Sequence, residues 1–490
     1  MRKIHQHLLI LNIFTATLTN TASSLSTSTT PKHGGSAARP IPSSGWPDKF
    51  PAKSHCSKCG LCETSFVESV TSSCAFLNEG MARIDSLEHI VHGRTRIMDD
   101  DGDSNEIHFG VQHEPMQLVK GSLENAQWTG AVSSIAISML ELGMVDAVVC
   151  IASGGDDADG GWSEPEPILA KTVADVLRGR GVKPALAPSL RVLDEIKNDD
   201  DVQRILFCGV GCAVQAFRAV QDDLGLEEVY VLGTNCADNS PTPQAARDFM
   251  KLGLGLDAEK VQGYEFMQDF RVHVKMARTT SDEDNDDGSG SPQQYKKLPY
   301  FCLPGSVADA AIADSCLACF DYTNALADVV IGYMASPLDS DGVMSEAMQS
   351  LTIRNERGKT MVQTAINAKR ITLHGEAAGA GSHEKISIAT LLSDNIVLAM
   401  TGGKVKEAGM PKFLGEAMAF VMRNIGPTGV NFAKYSIDYH LLRNYLHVLD
   451  EWGEKRAEKS IPTYAKKIFQ QYCDDSESVV DLRNQILAKK

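Results

Sequence analysis

The cysteines of this chain carry its clearest chemical pattern. Cys56, Cys59 and Cys62 form C-x-x-C-x-x-C, and Cys74 follows after eleven further residues. Two-residue gaps let one loop present three thiolates to a single centre, and Gly60 allows the backbone to approach that centre closely. Zinc sites usually combine separate C-x-x-C pairs, whereas this tight triple is typical of iron–sulfur ligation. We therefore predict an iron–sulfur site, with a zinc site as the alternative.

A second group of cysteines is dispersed along the chain. Its members follow predicted strands or form C-x-x-C: Cys212, Cys236, Cys316 and Cys319. Loops at the ends of parallel strands converge, so we expect these thiols to meet. Both groups together supply enough ligands for two [4Fe–4S] clusters. Two assignments stay open, because Cys208 can replace Cys212, and Cys74 can serve the second cluster, as the fourth cysteine does in two-cluster ferredoxins.

The elements that must position these thiols alternate between strand and helix. Apolar strands are predicted at 145–152, 204–208, 228–232 and 328–334, and helices at 132–142, 168–178 and 214–224. This alternation predicts an α/β domain with a mostly parallel sheet covered by helices. Apolar residues at helical spacing over 413–424 and 439–455 predict a helical C-terminal part.

The N-terminus has the composition of a targeting leader. Arg2 and Lys3 precede an apolar run over Leu8–Leu18, and Thr19–Ser44 is rich in Ser and Thr without Asp or Glu. A basic start with a short apolar core is typical of a signal peptide, and the tract that follows has the composition of a plastid transit segment. We therefore predict a two-part leader to the plastid stroma. The alternative is a disordered tail with a chance apolar run.

The bulk composition excludes some classes of function. The chain has 490 residues and a net charge of −16, which argues against a nucleic-acid partner because binding phosphates requires clustered cations. After the leader, no stretch has the roughly 18 apolar residues that a membrane-spanning helix needs. We therefore expect no transmembrane segment. The oligomeric state, including a homo-oligomer, stays open.

Several unusual strings occur in order along the chain. They include CSKCGLC (56–62), ILFCGVGCAVQAFRAV (205–220), YVLGTNCADN (230–239) and SCLACFDYTNALADVVIGYM (315–334). These strings resemble the family of 7-hydroxymethyl chlorophyll a reductase and ferredoxin-dependent divinyl chlorophyllide 8-vinyl reductase. A more distant resemblance is to the β-subunits of deazaflavin-reducing hydrogenases. The family implies FAD, two [4Fe–4S] clusters, reduced ferredoxin as donor and a chlorophyll-type tetrapyrrole as substrate.

Because the resemblance implies FAD, the chain should also contain residues that contact a flavin. The candidates are Trp128, Thr129, Gly130, Ser133 and Ser134, with Asn324, Asp328 and Arg354 as weaker ones. The stretch 128–134 opens a predicted helix, whose N-terminal amides favour a phosphate. Each candidate has a structural alternative: a capped helix start for the stretch, a turn residue for Asn324, a cap for Asp328 and a charged turn for Arg354.

With these motifs we divide the chain into four regions. They are the leader 1–45, an N-terminal iron–sulfur segment 46–115, an α/β flavin- and cluster-binding region 116–410, and a helical C-terminal region 411–490. The segment Thr279–Gln294 is acidic and rich in Gly and Ser, so we expect a disordered surface loop there.

The predicted activity is a two-electron reduction fed by single electrons from ferredoxin. Reduction of 7-hydroxymethyl chlorophyll a is the favoured reaction. Reduction of the 8-vinyl group of divinyl chlorophyllide is the alternative, because a two-part leader suggests an alga without chlorophyll b. Two further readings are an electron-transfer subunit of a larger complex and a zinc-stabilised binding module. The catalytic proton donor is not assigned.

Overall fold

A computed structural model describes residues 52–99, 104–124, 126–153, 164–277, 294–337 and 344–489. Residues 48–490 group as one compact unit. Two expectations fall outside the described residues. They concern the leader 1–45 and, except for Gln294, the segment Thr279–Gln294.

Most strands belong to one large sheet. The strands of the described residues are β1 (Gln117–Gly121), β2 (Ala147–Ser153), β3 (Pro165–Ala170), β4 (Arg204–Gly209), β5 (Glu228–Thr234), β6 (Val261–Phe266), β7 (Arg271–Met276), β8 (Tyr295–Pro299), β9 (Val329–Gly332), β10 (Gln349–Ile353), β11 (Ile371–Glu376), β12 (Gly379–Ala380) and β13 (Thr428–Gly429). The eight-stranded sheet has the order β11-β1-β10-β9-β5-β4-β2-β3. Strands β9, β5, β4 and β2 run parallel at its centre, and antiparallel strands extend it on both sides. The α/β class is confirmed, with the predicted parallel pairing at the centre of the sheet.

Helices cover both faces of this sheet. The α-helices of the described residues are α1 (Val70–Ser73), α2 (Ile84–His92), α3 (Glu106–Phe109), α4 (Ala131–Glu141), α5 (Val173–Arg178), α6 (Leu193–Lys197), α7 (Gly211–Arg218), α8 (Pro243–Asp248), α9 (Gly305–Ala310), α10 (Glu356–Asn367), α11 (Glu384–Ser393), α12 (Asn395–Thr401), α13 (Lys412–Ile425), α14 (Val430–Trp452), α15 (Glu454–Ser460), α16 (Thr463–Asp475) and α17 (Glu477–Leu487). Helices α4 and α10 cover one face, where Ile135 and Met361 join the core. Helices α7, α14, α16 and α17 cover the other face together with the N-terminal cysteine segment. The predicted helical C-terminal part is confirmed by α13 to α17.

The central strands are apolar because both of their faces are buried. Ile205, Leu206 and Phe207 of β4 are all fully buried, and so is Val329 of β9. Their carboxyl ends lie at one edge of the sheet, since the strands are parallel. The loops that follow β4 and β5 therefore meet at this edge.

The prediction of one helix over 168–178 is wrong in its first half. Residues Pro165–Ala170 form β3, which pairs antiparallel with β2. Its two prolines are tolerated because β3 is an edge strand of the sheet. The helix begins only after Thr172, whose side chain accepts a hydrogen bond from the Asp175 amide at 3.2 Å.

The remaining strands form two small antiparallel sheets. Strands β6, β7 and β8 form one sheet, and β12 and β13 form the other. The first of these places Glu265, near the end of β6, beside the start of α4. No helix in the described ranges combines the length and the apolar character needed to cross a membrane.

Candidate functional site

The N-terminal thiol set is defined by Cys56, Cys59, Cys62 and Cys74. Burial first, and then the charges of the other three thiols, raise the pKa of Cys59 to about 12. Gly60 has a φ of 91°, so the turn between the second and third thiols needs a glycine. The amide of Lys58 donates to the Cys56 sulfur at 3.3 Å. Four thiolates can share this buried space only around a cation, which fits an iron–sulfur cluster.

The sheet-edge thiol set is defined by Cys212, Cys236, Cys316 and Cys319. Cys212 lies in the first turn of α7, directly after β4, and Cys236 follows the end of β5. The pKa of Cys236 lies well above its usual range because of burial and then the charges of Cys316 and Cys212. The pKa of Cys319 is raised in the same way by burial and by Cys212. The structure thus brings together the four dispersed cysteines that the sequence predicted to meet.

The two thiol sets are neighbours. Burial raises the pKa of Cys212, and the next contributions come from Cys316 in its own set and Cys59 in the other. Both sets also pack against the same apolar core. All twelve cysteines are free thiols, so no disulfide competes for these ligands. Metal centres in the two sets would be adjacent, as a chain of electron carriers requires.

The geometry favours one of the open assignments in each set. Cys208 packs against the core on the opposite face of the sheet, and the thiol near it there is Cys150. Cys208 therefore lies away from the sheet-edge set, and Cys212 is the ligand candidate that lies within it. Burial has the largest effect on the pKa of Cys59, and among the neighbouring thiols Cys74 raises it most. Cys74 therefore lies with the N-terminal set.

Helix α14 holds the sheet-edge set through two adjacent polar residues. The Asn444 side chain donates to the carbonyl oxygens of Cys316 and Cys319 at 2.7 and 2.8 Å. Arg443 forms a two-pronged ion pair with Asp238 at 2.9 and 3.1 Å. Sequence reasoning missed both roles. Their only sequence signal was the string YSIDYHLLRNYLHV (435–448), which resembles the family without revealing a contact.

The stretch 128–134 forms the predicted helix start. Gly130 precedes α4 with a φ of 75°, and the first amides of α4 have no acceptor within the helix. Thr129 Oγ1 lies 3.2 Å from Gln349 Oε1 and accepts from the Gly121 amide at 2.9 Å. Ser133 is half-buried, and Ser134 is buried within the first turns. The helix start is therefore formed as predicted, and its contact with a flavin stays a prediction.

An aromatic pair connects this stretch with the sheet-edge set. The rings of Trp128 and Tyr333 stack with centroids 5.3 Å apart and planes 14° from parallel. The pKa of Tyr333 is raised well above its usual range by burial and then by the charges of Glu265 and Cys236. Trp128 thus stacks on Tyr333, and Tyr333 lies near Cys236.

Glu265 is a functional candidate that sequence reasoning missed. Its carboxylate accepts hydrogen bonds from Gln127 Nε2 at 2.9 Å and Trp128 Nε1 at 3.4 Å. Burial raises its pKa to about 7, although these two hydrogen bonds act in the opposite direction. Its charge also contributes to the raised pKa of Cys236. A protonatable carboxyl group therefore lies between the predicted flavin stretch and the sheet-edge set.

The three weaker flavin candidates form hydrogen bonds or ion pairs with protein groups. Asn324 has a φ of 56°, as its alternative role in a turn requires, and donates to the Gly209 carbonyl at 2.8 Å. Asp328 accepts from the Val231 amide at 2.7 Å and pairs with Arg218 at 3.0 Å. The terminal nitrogens of Arg354 donate to the carbonyls of Val111 and Thr323, both at 2.7 Å. These contacts tie loops together, and a flavin contact by these residues stays a prediction.

A buried polar group links the N-terminal segment to the C-terminal helices. Asp438 lies 3.0 Å from His108 Nε2 and 3.1 Å from His383 Nε2, and it accepts from Tyr472 at 2.6 Å. The three histidine and aspartate ligand atoms lie within 4.8 Å of one another. Through these contacts Asp438 of α14 connects α3, the start of α11 and α16.

Comparisons with known proteins identify the relatives of this chain. Residues 119–194 match the N-terminal model of the family described as coenzyme F420 hydrogenase/dehydrogenase, beta subunit, and residues 202–378 match the C-terminal model of the same family. A protein of Oryza sativa subsp. japonica, "7-hydroxymethyl chlorophyll a reductase, chloroplastic", is 43% identical over 87% of this chain and 84% of its own. An uncharacterized protein of Nostoc sp. is 37% identical over 86% of this chain and 94% of its own.

More distant relatives come from methanogens. The coenzyme F420 hydrogenase subunit beta of Methanococcus voltae is 25% identical over 51% of this chain and 78% of its own. A chain of the F420-reducing [NiFe] hydrogenase complex from Methanosarcina barkeri aligns with a TM-score of 0.47 and 17% identity, covering 70% of this chain and 95% of its own.

The chain belongs to the coenzyme F420 hydrogenase/dehydrogenase beta-subunit family. Within it, the identity with the rice protein over most of both chains confirms the resemblance to the 7-hydroxymethyl chlorophyll a reductase family.

Proposed function

We propose that this protein is a ferredoxin-dependent iron–sulfur flavoprotein that reduces 7-hydroxymethyl chlorophyll a to chlorophyll a in the plastid stroma. The observation that carries the proposal is that Cys59 of one four-thiol set and Cys212 of the other pack against the same apolar core. The similarity to the rice reductase supports the choice of substrate. Each thiol set would hold one [4Fe–4S] cluster, and the stretch 128–134 would hold the phosphate side of FAD.

The number of electrons that the reaction consumes explains why the site needs several electron carriers. Converting the hydroxymethyl group to a methyl group consumes two electrons and two protons and releases water. When bound, the clusters pass single electrons and the flavin stores a pair. The residues of this chain must hold the carriers in line, exclude water and provide a proton.

Glu265 is the group best suited to provide that proton. Its half-buried carboxyl group lies beside Trp128 and within electrostatic reach of Cys236. A pKa of about 7 means that a large share of these carboxyl groups is protonated at neutral pH. The proton would reach the departing hydroxyl oxygen, which leaves as water.

A direct assay distinguishes the candidate functions. The purified mature protein, handled without oxygen, is given reduced ferredoxin and either 7-hydroxymethyl chlorophyll a or divinyl chlorophyllide, and the pigments are separated and quantified. We expect chlorophyll a from the first substrate and no reduction of the second. Reduction of the vinyl substrate alone would establish the alternative. Turnover of neither would favour an electron-transfer role within a larger complex.

The proposed location has its own test. Residues 1–45, fused to a reporter, should direct it to the plastid. The relative in rice is named as chloroplastic. A reporter that stays in the cytosol or is secreted would contradict the stromal assignment.

A further inference from the structure

Helix α13 presents an apolar face to solvent. Phe413 and Phe420 are 72% and 65% exposed. Phe413 and Phe420 are two helical turns apart and therefore lie on the same side. Single exposed apolar residues are ordinary, but two phenylalanines on one side of a helix form the kind of patch that marks a binding surface.

The opposite face of α13 fixes the helix to the protein. Gly415, Ala419 and Met422 are buried. Ala419 and Met422 belong to one apolar cluster with Phe270 of the β6–β7 turn and Phe432 of α14. The helix is thus held from inside, and its exposed phenylalanines do not result from a loosely attached segment.

Lysines lie at the N-terminal end of the apolar face. Lys404 and Lys406 are exposed in the loop that leads to the helix, and Lys412 is the exposed first residue of α13. Glu407 is the exposed acid of that loop, while Glu416 pairs with Arg271 at 2.7 Å. This local excess of cations contrasts with the net charge of −16 of the whole chain.

We infer that α13 docks the protein on an anionic lipid bilayer, with Phe413 and Phe420 entering the interface between headgroups and acyl chains. An apolar face flanked by lysines is the pattern of helices that lie in a membrane interface. The choice of a bilayer rests on the proposed function, because a chlorophyll carries a long hydrocarbon ester and partitions into membranes. Docking would bring the enzyme to the place where its substrate is dissolved.

Vesicle co-sedimentation of the full mature protein tests this inference. With phosphatidylglycerol–phosphatidylcholine vesicles, we expect the double variant Phe413→Ser, Phe420→Ser to lower the partition coefficient at least about tenfold. Ile90→Ser is the matched control, since Ile90 is 74% exposed on a different helix and should leave binding unchanged. Replacing Lys404, Lys406 and Lys412 by Gln should weaken binding to anionic vesicles and not to pure phosphatidylcholine.

Three results would overturn the inference. They are absence of vesicle binding by the unchanged protein, full binding by the double variant, and a lower mass in solution for the double variant. The last result would mean that a second copy of the chain covers this face. Turnover of detergent-dispersed substrate should be the same in the double variant, so a failure of docking is distinguishable from a failure of the proposed function.

Discussion

Replacing Glu265 by Gln tests the proposed proton donor. Gln keeps a carbonyl oxygen that can accept from Gln127 and Trp128, so the hydrogen bonds at 2.9 and 3.4 Å can persist. The variant loses the acidic proton and the negative charge of the ionised form. Loss of a general acid typically lowers the rate by about 10²–10⁴-fold. We expect a fall of this size in turnover, with iron and flavin content unchanged.

The pH dependence of turnover provides a second test of Glu265 as the proton donor. The pKa of Glu265 is raised to about 7, and the acid must be protonated to act. The protonated fraction is about half at pH 7 and about a tenth at pH 8, so turnover should fall about fivefold over this step. The residual activity of Glu265→Gln should lack this fall.

The assay is steady-state turnover with reduced ferredoxin between pH 6 and 8.5, together with anaerobic measurement of flavin reduction. Flavin reduction should proceed at the normal rate in Glu265→Gln, because the thiol sets are untouched. Glu259→Gln is the matched control, since Glu259 is exposed in the turn that precedes the same strand. A Glu265→Gln variant with normal turnover and the normal pH profile would refute the assignment.

Three other changes test separate parts of the account. Cys59→Ala should abolish ferredoxin-driven turnover while FAD stays bound; equal loss of flavin and iron would show that this thiol set mainly supports folding. Asn444→Leu removes the two hydrogen bonds to the carbonyl oxygens of Cys316 and Cys319, which costs about 1–3 kcal/mol, and should lower the iron content and the thermal stability; normal iron content would contradict the role given to Asn444. Deleting Thr279–Gln294 should leave turnover unchanged, because the segment has almost no apolar residues to bury; a large loss with intact folding would mean that it contacts substrate or donor.

Local spacing explains what the sequence could predict. The thiols of Cys56, Cys59 and Cys62 are brought together by a single loop, so their spacing alone indicates a shared centre. To predict the sheet-edge set, the fold had to be predicted as well as the cysteine spacing. Strand–helix alternation placed Cys212 and Cys236 at neighbouring strand ends, and the structure brings these thiols together.

Contacts between distant parts of the chain could not be predicted in this way. Asn444 reaches the carbonyl of Cys316 across 128 positions, and Glu265 reaches Trp128 across 137. Nothing in the local pattern of α14 or β6 marks these side chains as different from ordinary polar residues. The strand β3 was missed for a different reason, because its short apolar run directly precedes a helix and periodicity alone did not separate them.

The metal and flavin content of the anaerobically purified protein tests the central claim most directly. Two thiol sets of four predict about eight irons, about eight acid-labile sulfides and one FAD per chain. A Cys212→Ala variant should lose iron from the sheet-edge set and keep that of the N-terminal set. One or two zinc ions per chain with no iron would contradict the account.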